Sequence, residues 1–123
     1  MKQFNYQKGR VGEEAAKNYL TKKGFKIIAS NFHTRFGEID LIMIDNGVLV
    51  FVEVKAKTGE NFGSPEEMIT SKKVIRVKNM AKVFIQKNQV LARKHPCWRL
   101  DAVCLVLNKN QEVERIRHYE NLV

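Results

Sequence analysis

The chain has 123 residues, 44% of them hydrophobic and 28% charged, with 22 Lys and Arg against 13 Asp and Glu for a formal net charge of +9. That composition excludes a disordered chain, and a length of this order is what one domain of roughly 100–150 residues occupies. No apolar run approaches the roughly 18 residues of a membrane-spanning helix, and Met1-Lys2-Gln3-Phe4-Asn5-Tyr6 lacks the apolar segment of a signal peptide. A single cytoplasmic domain over residues 1–123, with no membrane partner, is therefore expected.

In chain order, Val11, Ala15, Ala16, Tyr19 and Leu20 keep helical spacing, and Gly24 after Lys22-Lys23 supplies a stop, which predicts a first helix. Residues 25–29 read as a strand. Two β-branched runs, 39–44 and 48–54, flank Asp45-Asn46-Gly47, and Asn-Gly is the strongest short-range hairpin signal. Both runs are apolar on both faces, so helices should cover each side of this sheet. Ser64-Pro65-Glu66-Glu67 has the form of a capping box with proline at the first helical position. It predicts the start of a long helix with Val74, Val77, Met80, Ala81, Phe84 and Ile85 inward and Lys72, Lys73, Arg76, Lys78, Lys82 and Lys87 outward. His95-Pro96 interrupts, and strands over 100–107 and 113–118 follow around Asn108-Lys109-Asn110. The order αβββαββ is that of an α/β fold with one mixed sheet.

Two cysteines, Cys97 and Cys104, form neither a disulfide framework nor a zinc-ligand spacing, and Cys104 sits in an apolar run as a buried thiol. His33, His95 and His118 are scattered and are given no catalytic role. The excess positive charge attracts nucleic acid or an anionic surface without choosing between them.

The hairpin fixes a register. With Asn46 and Gly47 as the loop, Asp45 faces Val48, Ile42 faces Phe51, Asp40 faces Glu53 and Glu38 faces Lys55; alternation then places Asp40, Glu53 and Lys55 on one face, away from the turn. A bulge would shift this by one. Two carboxylates opposed on a buried sheet need a shared proton, a cation or a metal. Oxygen ligands suit a hard ion such as Mg²⁺, and the chemistry that uses such a set with a lysine is metal-assisted phosphodiester hydrolysis. A plain cross-strand ion pair of Glu38 with Lys55 is the structural alternative.

Asp40 and, thirteen positions on, Glu53-Val54-Lys55, preceded by a helix carrying a glutamate, resemble the PD-(D/E)XK nuclease signature. The fuller string Gly9-Arg10-Val11-Gly12-Glu13, Asn31, Gly37-Glu38-Ile39-Asp40-Leu41-Ile42, Phe51-Val52-Glu53-Val54-Lys55, Phe62-Gly63, Pro65, Lys72 and Arg99-Leu100-Asp101 is similar to the YraN-type family of bacterial predicted endonucleases. That family is distantly similar to archaeal Holliday-junction resolvases. Ile39 stands where the signature's name has proline, a variable position.

The resemblance implies a restriction-endonuclease-like fold and a DNA endonuclease that uses Mg²⁺ or Mn²⁺. Asp40, Glu53 and the Val54 carbonyl would be metal ligands, Lys55 the catalytic lysine, and Glu13 the helix-one acid that completes the site. A first-turn acid favoured by the helix dipole is the alternative for Glu13. Phosphate contact after the lysine motif would fall to Lys57, and Lys72 would stand near the metal at the start of the second helix; a solvated helix face is its alternative. From charge alone, Arg76 and Lys73 could track a phosphate backbone, and Arg35 in Thr34-Arg35-Phe36-Gly37 could meet the scissile strand. Arg99 and Asp101 read as a structural ion pair, and Trp98 as core or interface. RNA remains an alternative substrate because the chemistry attacks phosphate, and a resolvase-like role needs a homodimer. The rival of a different class is a non-catalytic nucleic-acid-binding or adaptor protein that keeps the fold.

Overall fold

A computed structural model describes residues 2–59, 61 and 63–122, with side chains from Gly9 onward; Phe62, part of the motif string, lies outside the described residues. Helix α1 (Lys2–Lys22) is followed by strands β1 (Lys26–Thr34), β2 (Gly37–Asp45) and β3 (Val48–Thr58). A 3₁₀ turn (Pro65–Met68), helices α2 (Ser71–Lys87) and α3 (Gln89–Lys94), and strands β4 (Trp98–Leu107) and β5 (Val113–Tyr119) complete the order. The five strands form one sheet in sequence order. All neighbours are antiparallel except β3 and β4, which run parallel. The result is an α/β fold consistent with a restriction-endonuclease-like architecture. No helix among the described residues is long and apolar enough to cross a membrane.

The doubly apolar runs have the expected cause. Leu41, Met43, Val50, Val52 and Val54 pack with Ala16 and Leu20 of α1, whereas Ile42, Leu49 and Phe51 pack with Val77, Met80, Ala81 and Phe84 of α2. Asn46 and Gly47 take positive φ, as the two-residue turn requires, and the register runs as expected from Asp45↔Val48 to Leu41↔Val52.

Two expectations are corrected. The Ser64-Pro65 capping box does not open the long helix: Ser64 makes no side-chain cap, and the turn ends at Met68. Glu66 is tied instead to Arg115 and Tyr119 of β5, which docks the turn on the sheet. Thr70 is the true cap of α2, accepting from the Lys73 N–H. The second correction concerns strand alternation. Ala29 and Phe32 of β1, and Ile39 and Ile42 of β2, all pack in the α2 cluster although each pair is three positions apart. Strict alternation would separate them. Both strands therefore turn by half a period between the pairs Ser30↔Leu41 and Phe32↔Ile39. Asn31, with a φ of 53°, makes this turn in β1 beside Asp40 in β2.

Helix α1 comes very close to β3. A β-carbon on Gly12 would lie 2.9 Å from the Ala56 β-carbon and 3.8 Å from a Val54 methyl. Gly12→Ala should therefore lift α1 from the sheet and cost about 1–3 kcal/mol, as overpacking does. A urea titration checks this; an unchanged midpoint would show that the helix can shift freely.

Candidate metal centre and its groove

The half-period turn decides where the acids go. The β2–β3 ladder stops at Leu41↔Val52, one pair short of the expected Asp40↔Glu53. Asp40 Oδ2 instead accepts from the Val54 N–H at 2.7 Å, taking the place of a backbone carbonyl. The strands part at this point, and Asp40 turns toward Glu13 of α1. Glu38, two residues earlier, joins them rather than facing Lys55. Glu13, Glu38 and Asp40 each present a carboxylate oxygen within 4.8 Å of the others, a group that could hold a metal ion. Helix α1 starts at Lys2, so Glu13 lies mid-helix and the first-turn explanation of this residue falls away.

Asn31 holds the cluster together. Its Nδ2 donates to both Glu13 oxygens, at 3.1 and 3.0 Å, and to Glu38 Oε1 at 2.6 Å. The left-handed backbone that aims this amide is one asparagine tolerates better than most residues. His33 stands 3.4 Å from the other Glu38 oxygen.

Glu53 is 5% exposed and faces two cations, Lys55 Nζ at 3.6 Å and Lys73 Nζ at 3.5 Å, both on its Oε1. Lys73, expected on the outer face of α2, is thus turned inward. Burial, and then the neighbouring Lys55 ammonium, hold the Lys73 ammonium below the usual lysine range despite Glu53. Burial pushes the Asp40 carboxyl up to about 8, and the charges of Glu53 and Glu13 add to it, against the Val54 N–H and Lys55. An acid so placed is short of positive charge, which is what a divalent cation would supply.

The cluster opens on two sides. A groove of about 600 Å³ runs between α1, with Arg10 and Lys17 flanking Glu13, and the β1–β2 hairpin, with Ser30, Asn31 and His33. A second cavity, of about 370 Å³, is lined by Gly9, Glu13, Asp40, Val54, Lys55 and Met68. Gly9 and Glu13 border both.

Of the residues expected from sequence, Glu13, Asp40, Val54 and Lys55 line one cavity, and Glu53 touches it through Lys55. Lys72 and Arg76 are exposed on α2, and Arg35 is exposed at the hairpin tip. A β-carbon on Gly37 would lie 3.8 Å from Arg76 Cδ, which puts Arg76 at the same corner as Arg35. Lys57 lies apart, beside Gly63. Glu38, Asn31, Arg10 and Lys17 were not assigned to the site from sequence. The readable signal was that Arg10, Asn31 and Glu38 all stand in the motif string quoted above.

The remaining readings have structural explanations. Arg99 pairs with Asp101 at 3.0 Å, Trp98 packs edge-on against Phe51, and Cys104 is buried, its thiol pushed up to about 11 by desolvation.

The model of the uncharacterised protein family UPF0102 matches residues 12–105. A UPF0102 protein of Pelotomaculum thermopropionicum is 40% identical over 113 residues, covering 92% of each chain. One from Syntrophomonas wolfei is 38% identical over 118 residues, 96% of this chain and 98% of its own length. One from Symbiobacterium thermophilum is 44% identical over 95 residues, 77% of this chain and 78% of its own. With a match spanning both the acidic cluster and the lysine motif, the chain belongs to the uncharacterised protein family UPF0102, the YraN-type family that its motif string resembles.

Proposed function

We propose that this protein is a metal-dependent endonuclease that hydrolyses DNA phosphodiester bonds, with branched or junction DNA as the substrate class that the resolvase resemblance implies. One observation carries the reading: three carboxylates converge within 4.8 Å, and two of them, Glu13 and Asp40, line a cavity that the lysine of the nuclease-like motif also lines. The donor set is all oxygen, which fits Mg²⁺ or Mn²⁺ and not a thiolate-bound metal. Asp40, Glu13 and Glu38 would hold the ion, with Glu53 and the Val54 carbonyl as the further ligands implied by the resemblance. When bound, such an ion supplies charge against the phosphate and a more acidic water.

The chain's own residues do the rest. Glu53 fixes the Lys55 ammonium near Asp40, where it can orient the attacking water or meet a phosphate oxygen as charge develops. Arg10 and Lys17 line the groove that would hold the strand, and Arg35, Arg76, Lys72 and Lys57 add attraction outside it. A protein that only bound DNA would gain nothing from three clustered acids, which repel phosphate until a cation neutralises them.

The test is cleavage of labelled single-stranded, duplex, flap and four-way-junction DNA, with matched RNA, in Mg²⁺, Mn²⁺ or EDTA. Lys55→Ala should lose cleavage while keeping its Mg²⁺-dependent rise in Tm. Metal-dependent cutting of DNA that vanishes in this variant supports the reading, and a junction cut on both strands by a species of dimer mass would add the homodimer. Salt-sensitive binding with no cutting on any substrate would make the chain an adaptor.

A further inference from the structure

The tip of the β1–β2 hairpin carries a feature that hydrolysis does not require. Phe36 is 55% exposed, and the Arg35 guanidinium lies over its ring, 4.9 Å from the centroid. A single exposed aromatic is ordinary on a protein surface. This one is held out by a built turn. The Phe36 N–H donates to Thr34 Oγ1 at 3.0 Å, and Thr34 Oγ1 in turn donates to the Gly37 carbonyl at 3.3 Å. Gly37, with a φ of 136°, lies against α2 so closely that a β-carbon there would be 3.5 Å from Met80 Sδ and 3.8 Å from Arg76 Cδ. The tip is therefore anchored on the helix and projects a fixed ring with a cation on it.

Position gives this ring a partner. The groove follows the hairpin along Ser30, Asn31, His33 and Glu38 toward that tip. Phe36 is four residues from Asp40, at most about 13 Å of extended chain, which is the axial rise of roughly four stacked nucleotides. A strand lying in the groove with one phosphate at the acids would reach the tip within a few nucleotides. Arg35 and nearby Arg76 suit its phosphates, and the ring suits a base face. A base can reach that ring only when it is not stacked and paired inside a duplex.

We infer that Arg35 and Phe36 form a stacking platform for an unpaired base of a nucleic-acid strand held in the groove, so that the protein selects DNA with a single-stranded segment beside the point of cleavage. The inference rests on the nucleic-acid reading above. It adds the substrate feature that the site recognises.

The test is equilibrium binding in Mg²⁺, with Lys55→Ala in every protein compared so that no cleavage occurs (wild type then denoting Phe36 on that background), of a labelled oligothymidylate and of a blunt duplex of equal length. Wild type, Phe36→Ala and Phe36→Trp are compared. Phe36→Ala should weaken oligothymidylate binding on the order of tenfold and leave duplex binding unchanged. Phe36→Trp should restore affinity, and its added fluorescence over that of Trp98 should be quenched by the single strand alone. Equal affinity of wild type and Phe36→Ala for the oligothymidylate, or an equal loss on both substrates, would overturn the platform while leaving the nuclease reading intact. Failure of wild type to bind either substrate would overturn both.

Discussion

Asp40→Asn should abolish cleavage and at the same time make the metal-free protein more stable at mildly alkaline pH. Asparagine keeps an oxygen to accept the Val54 N–H, so the opening of the sheet is preserved. What it removes is the charge that the site needs. Loss of one metal-binding carboxylate should cost on the order of 10³-fold in rate, about 4 kcal/mol of transition-state stabilisation. The stability gain has a definite sign. Asp40 ionises near 8 in the folded protein, against an ordinary 3.8, because burial and then Glu53 disfavour its charged form. Between those pH values the folded chain holds a proton that the unfolded chain has released, so stability falls as pH rises through that window. Each tenfold change in proton affinity is worth about 1.4 kcal/mol. A realised gain of about 1–2 kcal/mol for the asparagine variant at pH 8 in EDTA is therefore expected. Thermal melts across pH check it: wild type should slope downward from pH 5 to 8, and the variant should be flat. Added Mg²⁺ should raise the wild-type Tm most at the alkaline end, because the cation takes the proton's place, and should leave the variant unmoved. A variant that still cuts, or a wild type with no such slope, would remove Asp40 from the centre of the site.

Much of this arrangement is readable in the sequence because it rests on local chemistry. Asn46-Gly47 sets the hairpin and the β2–β3 register as far as Leu41↔Val52, and the doubly apolar runs announce the two covering layers. Counting outward from there sets Asp40 opposite Glu53 and Glu38 opposite Lys55, and the count fails at the first of these pairs, for a reason no periodicity carries. The half-period turn at Asn31 arises in the neighbouring strand, from one residue in a left-handed conformation, and asparagine only tolerates that conformation without demanding it. Its consequence is that Glu38 joins the acids, where the register had paired it with Lys55.

The same kind of limit explains the capping box and Lys73. Ser64-Pro65-Glu66 carries a valid helix-start pattern, but the bonds of Glu66 to Arg115 and Tyr119 span about fifty positions and decide the matter. Those two bonds overcome the cost of burial and hold the Glu66 carboxyl down to about 2. Moving the helix start to Ser71 places Lys73 in the first turn of α2, rotated onto Glu53. A charge pattern on a helix shows which residues are polar. Which of them face a buried acid depends on a start point set elsewhere in the chain.

Asp101→Ala should be the most destabilising single change, and the comparison with Asp40 shows why. Asp101 is 0% exposed, yet it accepts from Arg99 Nε and Nη2 at 3.0 and 3.2 Å, from His118 Nε2 at 2.7 Å and from the Asn121 N–H at 3.0 Å. Its partners also fix the imidazole: a carboxylate only accepts, so Nε2 carries the proton, and Nδ1 is left to accept from Lys23 Nζ at 3.0 Å. Burial opposes ionisation of Asp101, but His118, Arg99 and Asn121 outweigh it and hold the carboxyl below its usual range. Stability from this group is thus present above the ordinary 3.8 and is lost as pH falls below it. Truncation to alanine leaves the imidazole N–H, the Asn121 N–H and part of the Arg99 guanidinium without their acceptor. The expected loss is about 3–5 kcal/mol, a fall in Tm on the order of 15 °C for a chain of this size. A melt in EDTA at neutral pH measures it, and a loss under about 1 kcal/mol would show the network to be dispensable. Cleavage below the melting temperature should survive, because none of the hydrogen-bond partners of Asp101 belongs to the carboxylate cluster. Asp101 sits among donors that neutralise it, as a buried acid kept for stability requires. Asp40 sits among other acids, an arrangement that disfavours the free protein and is relieved by a bound cation.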